Sequence, residues 1–268
     1  MHARVDPLNP QLFSLINAIG ITSLLLLETR SSAFRDIFRD RVRMHRNLAF
    51  LITGLGVGLL LHRTVAYMTP ALPKLVWQAP LWVQLVGVFL LAELLNWVLH
   101  WAKHANDYLW RFHCQHHKDD RFTPWLVTHT YAPEVFVSGV AISAIVLAAG
   151  FSAIALDVYL LFYSLVNLYQ HSSHPYSLGP LDKLIINPAY HRHHHGGARV
   201  NYGSTLSVWD WAFGTVRWPK NRHEAIDPPS IHTTAEPFGF VDEMLYPLKP
   251  SRWVEIAQNP PGTGTSQG

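Results

Sequence analysis

The sequence predicts an all-α fold in which several helices span a membrane and a helical cap lies on the cytoplasmic side. Hydrophobic residues make up 49% of the chain and charged residues only 15%, which is unlike a soluble protein. The apolar residues are gathered in runs close to the roughly 20 residues that a bilayer-spanning helix needs. Twelve of the 17 histidines lie between His100 and His195. Because imidazole is a common metal ligand, the cap is predicted to carry a histidine-rich site for two metal ions.

Five apolar helices are predicted along the chain. The first run, residues 12–27, is short, and residues 48–68 and 81–101 form the second and third. The stretch 133–171, with Gly150 and Asp157 near its middle, is long enough for two helices joined by a tight turn, and it fits either a spanning hairpin or a re-entrant one. Several such helices in one chain favour an integral, multi-pass membrane protein over a protein with buried core helices.

An arginine-rich loop between the first two runs predicts the orientation. Residues 29–46 hold six arginines against two aspartates, and cytoplasmic loops carry an excess of Lys and Arg. With this loop in the cytoplasm, each later crossing returns the histidine groups to the same side. The loop also accounts for the net charge of +3, so no nucleic-acid partner is predicted. A bacterial inner membrane is favoured, or the endoplasmic reticulum if the protein is eukaryotic.

The histidines in the predicted cap form three groups and one single residue, nine candidate metal ligands in all. Each group contains i, i+3 or i, i+4 spacings, so on a helix its rings are expected to share one face. The nine are His100 and His104; His113, His116 and His117; His171; and His191, His194 and His195.

The residue types restrict the metal. A catalytic zinc takes three protein ligands and would leave a surplus here, while calcium and magnesium prefer oxygen ligands. Iron and copper accept imidazole-rich ligand sets, and two irons could bind and reduce dioxygen. Cys114 is the only cysteine, which excludes CxxC metal sites and intrachain disulfides.

Four further polar residues leave the extent of the ligand set open. Glu93, two turns before the first group, could orient a ligating imidazole or pack between helices. His174 could be a tenth ligand or make an ordinary polar contact. Asn167 could bond to a metal-bound water or pack against a helix. His193 is out of phase with its neighbours in the last group and should point away from their shared face.

In these residues the chain closely resembles the sterol desaturase / fatty acid hydroxylase family of integral-membrane di-iron oxygenases. The family pattern is HxxxH, HxxHH, a later histidine and a final HxxHH. Here it reads HWAKH at 100–104, HCQHH at 113–117, His171, and HRHHH at 191–195. Flanking residues agree, among them NYG at 201–203 and FGT at 213–215. Ser173 departs from the asparagine that the family has in the motif containing His171.

The resemblance implies a membrane-bound di-iron oxygenase that hydroxylates or desaturates a C–H bond of a lipid. The nine histidines would then be the catalytic residues and would hold two iron ions. Dioxygen and a lipid would be the substrates, and membrane lipids would surround the helices. A separate protein would donate the electrons, because no cytochrome b5-like or flavin-binding segment is visible. A sterol, a fatty acyl chain, a terpenoid and an ether lipid all fit as substrates.

A competing interpretation is a non-enzymatic membrane protein that binds metal or haem, such as a metal transporter. A transporter would place its ligands inside the spans, near the middle of the membrane. Here most of them follow the ends of the apolar runs, which favours the oxygenase.

Three regions are predicted along the chain. Residues 1–80 comprise the N-terminal transmembrane helices and the arginine-rich loop. Residues 81–218 form a catalytic domain like that of the family. Residues 219–268 form a cytoplasmic extension that ends in a disordered tail, because residues 259–268 are rich in Pro, Gly, Ser and Thr.

Overall fold

The computed structural model describes residues 10–73, 76–117, 122–196, 199–220 and 239–248. Within these ranges it is helical, and its one β-bridge joins Ile185 to Leu206. The predicted all-α membrane fold is therefore confirmed. The expected disordered tail lies outside the described residues, and the three-region division stays a prediction.

The α-helices of the described ranges are α1 (Pro10–Glu28), α2 (Ser32–Ile37), α3 (Arg41–Met68), α4 (Leu81–Ala105), α5 (Asp107–His117), α6 (Ala132–Ala148), α7 (Ala153–Gln170), α8 (Pro188–His195), α9 (Val208–Phe213) and α10 (Phe240–Leu245). Short 3₁₀ helices lie at Thr69–Ala71, Val76–Gln78, Pro124–Thr128, Gly179–Lys183 and Tyr246–Leu248.

All five predicted apolar helices are present. Three of them, α3, α4 and α7, are long and apolar enough to cross a membrane, while α1 and α6 are shorter apolar helices. The predicted turn between α6 and α7 lies at Gly150, whose φ is 89°. Glycine adopts this conformation readily because it lacks a Cβ.

The helices pack through small residues and a central apolar cluster. Val88 and Ala92 of α4 meet Val146 of α6 and Leu156 of α7 in this cluster. At Gly139, α6 approaches α3 so closely that an added Cβ would clash with the side chain of Leu61. Close approach at small residues is the usual means of helix association in membranes.

The histidine groups lie at the same end of the bundle as the arginine-rich loop, as the topology argument predicts. His129, just before α6, bonds through Nε2 to the Asn47 side chain near the start of α3, at 2.7 Å. Phe34 of α2 stacks on Trp125, with ring centroids 6.3 Å apart. Leu126, the next residue, accepts a hydrogen bond from His116.

An asparagine side chain caps the start of α5 and of α8, the two helices that carry an HxxHH group. Asn106 ends α4, and its side chain accepts hydrogen bonds from the backbone nitrogens of Tyr108 and Leu109, so α5 starts at once in a new direction. Asn187 caps α8 by accepting from the Tyr190 nitrogen at 2.9 Å, with Pro188 at the first helical position. Asparagine is favoured at such caps, and proline at the first position of a helix.

Candidate metal centre

The structure brings all nine candidate ligands together in two clusters. Within each cluster, one ring nitrogen of every histidine lies within 4.8 Å of those of the others. The first cluster, called cluster A, contains His100, His104, His113, His117 and His194. The second, cluster B, contains His116, His171, His191 and His195.

Each HxxHH group is divided between the two clusters. In α5, His113 and His117 belong to cluster A and His116 to cluster B. In α8 the division is reversed, since His194 joins cluster A and the other two join cluster B. Each residue turns by about 100° along a helix, so the first and last histidines of a group nearly align, while the middle one, three residues after the first, faces to the other side. The expectation that each group presents one shared face is therefore too simple.

The two clusters adjoin. The rings of His117 and His195 stack with centroids 4.2 Å apart, and those of His194 and His191 stack with centroids 5.6 Å apart. Because α5 and α8 each supply both clusters, the two helices form one shared frame. Two metal ions held there would be neighbours.

Main-chain carbonyls orient several of the rings. The Nδ1 atoms of His116, His171 and His194 donate to carbonyl oxygens at 3.0, 2.7 and 2.8 Å. His100 Nδ1 donates to the carbonyl of Tyr202 at 2.8 Å. Since a carbonyl only accepts, these bonds place the proton on Nδ1 and leave Nε2 with a free lone pair, a common arrangement of metal-binding histidines.

The inward nitrogens fit a metal ion. In cluster B, His171 Nε2 lies 2.9 Å from His191 Nε2 and 3.2 Å from His116 Nε2. Bonds of about 2.1 Å to one ion would place ligands at right angles about 3 Å apart. In cluster A, the Nε2 atoms of His100, His104 and His194 are buried without a hydrogen-bond partner. An unpaired buried acceptor is costly, and a metal ion would satisfy all three.

Burial keeps the cap histidines neutral, as metal binding requires. It lowers the pKa of His171 and of His194 to about 4. Burial also lowers the pKa of His116 and His191 well below the usual histidine value, and neighbouring imidazoles add to this effect.

Aromatic rings shield the clusters from water. Trp110 lies against His104 and His117 of cluster A, with centroids 4.8 and 5.2 Å apart. Phe122 stacks on His171 of cluster B at 5.6 Å. An aromatic boundary lowers the local dielectric and excludes water from the space between the rings.

Asp210 of α9 ties the supports of both clusters together. Its buried carboxylate accepts from Trp97 Nε1 at 2.9 Å, the Tyr190 hydroxyl at 2.9 Å and the Tyr202 nitrogen at 2.8 Å. Tyr190 directly precedes His191 in α8, and the Tyr202 carbonyl orients His100. Burial and the charge of Asp210 raise the pKa of Tyr190, so its hydroxyl remains a donor.

Glu93 bonds to the backbone beyond the last histidine group. It accepts from the Tyr159 hydroxyl at 2.8 Å, the Thr205 hydroxyl at 2.7 Å and the nitrogens of Thr205 and Leu206, each at 3.0 Å. These bonds fasten the loop before α9 to the side of α4. Of the two roles considered for Glu93, the structure shows the packing role.

The other open residues lie outside both clusters. His193 and His174 are not members of either, and the ring of His174 packs against Tyr176 at 5.4 Å. The carbonyl of Asn167 accepts from His171 Nδ1, and its side-chain oxygen accepts from Gln170 at 3.0 Å.

Sequence reasoning missed two residues that support the clusters, Asp210 and Glu28. Asp210 lies between the two flanking motifs at 201–203 and 213–215, but nothing in its spacing assigns a partner. Glu28 directly follows the first apolar run, where a carboxylate is unusual enough to have been a signal. It accepts hydrogen bonds from the two serines that follow His171.

Comparison with known proteins agrees with this geometry. The sequence profile described as fatty acid hydroxylase matches residues 85–215, which include all nine histidines. Residues 85–215 belong to the fatty acid hydroxylase family. The resemblance seen in the histidine pattern is thereby confirmed.

Several curated proteins that are similar to this chain have names that refer to lipids. Human alkylglycerol monooxygenase is 28% identical over 146 residues, covering 53% of this chain and 32% of that protein. An ornithine lipid hydroxylase from Rhizobium tropici is 27% identical over 190 residues, covering 69% and 56%. A very-long-chain aldehyde decarbonylase from Oryza sativa is 26% identical over 198 residues, covering 65% and 30%.

The chain spans about a third of the length of the alkylglycerol monooxygenase and of the decarbonylase that it matches. No solved structure matches the chain.

Proposed function

We propose that the protein is a membrane-bound di-iron oxygenase that hydroxylates a C–H bond of a lipid. The observation that carries this proposal is the pair of adjoining all-histidine clusters, divided so that α5 and α8 serve both. Membership of the fatty acid hydroxylase family and the lipid-oxidising names of the relatives support it. Neither favours the non-enzymatic alternative.

The nine histidines are the proposed metal ligands and catalytic residues. The five of cluster A would hold one iron ion and the four of cluster B the other. Bound iron would supply the redox chemistry that reduces dioxygen and oxidises an unactivated C–H bond. The carbonyl bonds to Nδ1 keep the Nε2 atoms turned inward, while Trp110 and Phe122 limit the entry of water.

The proposed reaction needs two electrons that the lipid does not supply. One oxygen atom of dioxygen enters the C–H bond to give an alcohol, and the other leaves as water after taking up two electrons and two protons. A separate donor protein is the proposed source of the electrons. Desaturation uses the same oxidant and electrons but removes a second hydrogen from the adjacent carbon, and it remains the alternative outcome.

The proposed substrate is a lipid with a long alkyl chain, reached from the membrane. The relatives are named for an alkylglycerol, an ornithine lipid and a very-long-chain aldehyde. The clusters lie where α4 and α7 end, so an alkyl chain between the helices would approach them from the apolar side. We propose a multi-pass arrangement with the centre on the cytoplasmic face.

Metal content with a matched histidine control tests the proposal. Protein purified anaerobically in detergent should contain about two iron ions per chain. His116→Ala should lose about one of them and abolish turnover, because removing a ligand weakens binding of the ion it holds. His193→Ala, which changes a histidine outside both clusters, should keep both ions.

Turnover is measured as the gain of one oxygen atom by membrane lipids, followed by mass spectrometry with and without dioxygen and reductant. Stoichiometric zinc or haem, or iron unaffected by His116→Ala, would contradict the di-iron assignment.

A further inference from the structure

A buried carboxylate at the end of α1 reaches the segment that follows His171. Glu28 is the last residue of α1 and is only 2% exposed. The helix dipole is negative at a C-terminus and disfavours an anion there, and burial adds a further cost. Glu28 therefore requires partners that compensate for both.

Those partners are the two serines directly after His171. The Ser172 hydroxyl donates to Glu28 Oε1. Ser173 donates to Glu28 Oε2 twice, from its backbone nitrogen at 3.0 Å and from its hydroxyl at 2.6 Å. Ser173 is the residue that departs from the family's asparagine, and α1 lies outside the matched residues 85–215. The residue that differs from the family motif therefore contacts a helix that lies outside the matched residues.

Helix α8 holds the same two serines from the opposite side. Arg192 Nη2 donates to the carbonyl oxygens of Ser172 and Ser173 at 3.2 and 2.9 Å. The guanidinium carbon of Arg192 lies 4.8 Å from the centre of the Phe122 ring, which stacks on His171. Glu28 therefore accepts hydrogen bonds from the two serines, and Arg192 donates hydrogen bonds to their carbonyl oxygens.

We propose that Glu28 is a positioning residue for cluster B, acting through Ser172 and Ser173 to fix His171 against His191. This inference rests on the proposed metal site. His171 follows the last residue of α7, so the ring position depends on how the next residues are held. The distance of 2.9 Å between His171 Nε2 and His191 Nε2 leaves little room for a shift.

Docking of α1 has other supports. The Ser164 hydroxyl of α7 donates to the Asn17 side chain of α1 at 2.6 Å. At Gly20 the two helices approach so closely that an added Cβ would clash with the side chain of Leu165. Loss of the Glu28 charge should therefore leave α1 in place and affect cluster B.

Titration of the metal-free full chain with ferrous ion tests the role of Glu28. We compare the wild type with Glu28→Gln, Ser173→Ala, Ser173→Thr and the control Asp182→Asn. Asp182 is also a buried carboxylate that accepts from a serine hydroxyl and a backbone nitrogen, at 2.5 and 2.8 Å. The serine and the backbone nitrogen belong to Ser177 and Leu178, which are six and seven residues after His171 in the chain.

We expect Glu28→Gln to weaken binding of the second ferrous ion by about tenfold, as loss of a group that orients a ligand does. Ser173→Ala should weaken it by a smaller factor, and Ser173→Thr, which keeps the hydroxyl, should bind as the wild type does. Binding of the first ion should stay near wild type. The melting temperature of the metal-free protein should fall in Glu28→Gln, because an amide nitrogen cannot accept from the serine donors, and should fall less in Ser173→Ala. Asp182→Asn should bind both ions normally.

Wild-type affinity for the second ion in both Glu28→Gln and Ser173→Ala would overturn the inference while leaving the proposed function standing. A lower melting temperature with unchanged affinity would assign the contact to docking of α1 and also overturn it. If Glu28→Gln does not fold, Ser173→Ala decides. A wild-type chain that binds no second ion would overturn both this inference and the proposed function.

Discussion

At the scale of single residues, the carboxylate of Asp210 joins parts of the chain that are far apart in sequence. It accepts hydrogen bonds from Trp97 in α4, Tyr190 in α8 and the backbone nitrogens of Tyr202 and Gly203. The Thr215 hydroxyl adds a bond of 2.6 Å. Hydrogen bonds to a buried charged group are stronger than neutral ones, and loss of the acceptor leaves each donor unsatisfied.

Asp210→Asn should destabilise the protein by about 3 kcal/mol or more, because an amide nitrogen cannot accept from the donors it would face. It should also weaken metal binding, since Tyr190 directly precedes His191 of cluster B and the Tyr202 carbonyl orients His100 of cluster A. Thermal or denaturant unfolding in detergent and iron content measure the two effects. Asp36→Asn, which breaks a surface pair with Arg39, should cost under about 1 kcal/mol. Equal stability of the two variants would contradict the role given to Asp210.

Sequence reasoning found the candidate ligands but not the residues that hold them. The nine histidines stand out because imidazole is the chemistry of the site and because their spacing is repeated. Asp210 carries no such signal, since a carboxylate suits many environments and its partners come from other segments. Glu28 is marked only by its position beside an apolar run, which does not identify its partners. Glu93 was correctly singled out by its depth in an apolar run, yet only the fold shows that it bonds to Thr205 and Leu206.

At the scale of elements, α10 is fastened to the start of α3 by a buried ion pair. Arg46 Nη1 lies 3.1 Å from Glu243 Oε1, with the two side chains 7% and 3% exposed. The residues that follow α10 pack against α5, where Tyr246 joins Trp110 and Cys114 in an apolar cluster. Since Trp110 also lines cluster A, the segment 239–248 covers the outer side of that wall.

Arg46→Ala should release the segment 239–248, because removing one partner of a buried ion pair costs roughly 3–5 kcal/mol. Hydrogen–deuterium exchange should then rise in this segment. The double variant Arg46→Met/Glu243→Met should recover protection, since apolar replacement of both partners is often tolerated. Arg39→Ala, which changes an exposed pair, serves as the control. Unchanged exchange in Arg46→Ala would show that other contacts hold the segment.

Helix positions were predicted well, whereas the grouping of side chains was not. Apolar runs predicted all five bundle helices, three of them long enough to span a membrane, and a turn between the last two was expected. Spacing alone placed each HxxHH group on one face, but His116 and His117 join different clusters. Sequence spacing determines the direction in which each ring leaves its own helix. Which cluster the ring joins depends on the helix that lies opposite it.

At the scale of the whole molecule, the arginine-rich loop and both clusters lie at one end of the bundle. The orientation of the bundle in the membrane therefore places both on the same side. By the positive-inside rule we propose that this end faces the cytoplasm.

Cysteine labelling in intact bacterial cells tests this orientation. Arg39→Cys changes a residue whose side chain is 82% exposed, and Ala71→Cys lies in the loop at the other end of α3. A membrane-impermeant thiol reagent should label Ala71→Cys in intact cells and Arg39→Cys only after lysis. The native Cys114 is buried and should give a low background. The opposite pattern would reverse the proposed topology.

The division of ligands between the clusters also implies an order of assembly. Four of the five histidines of cluster A come from the continuous stretch 100–117, where α4 turns directly into α5. Cluster B joins His116 to residues as distant as His195, so closing it requires α6, α7 and α8 to be in place. Longer loops cost more entropy to close, and contacts distant in sequence form more slowly. During synthesis of the chain, most of cluster A can therefore gather before the first complete set of cluster B ligands has left the ribosome.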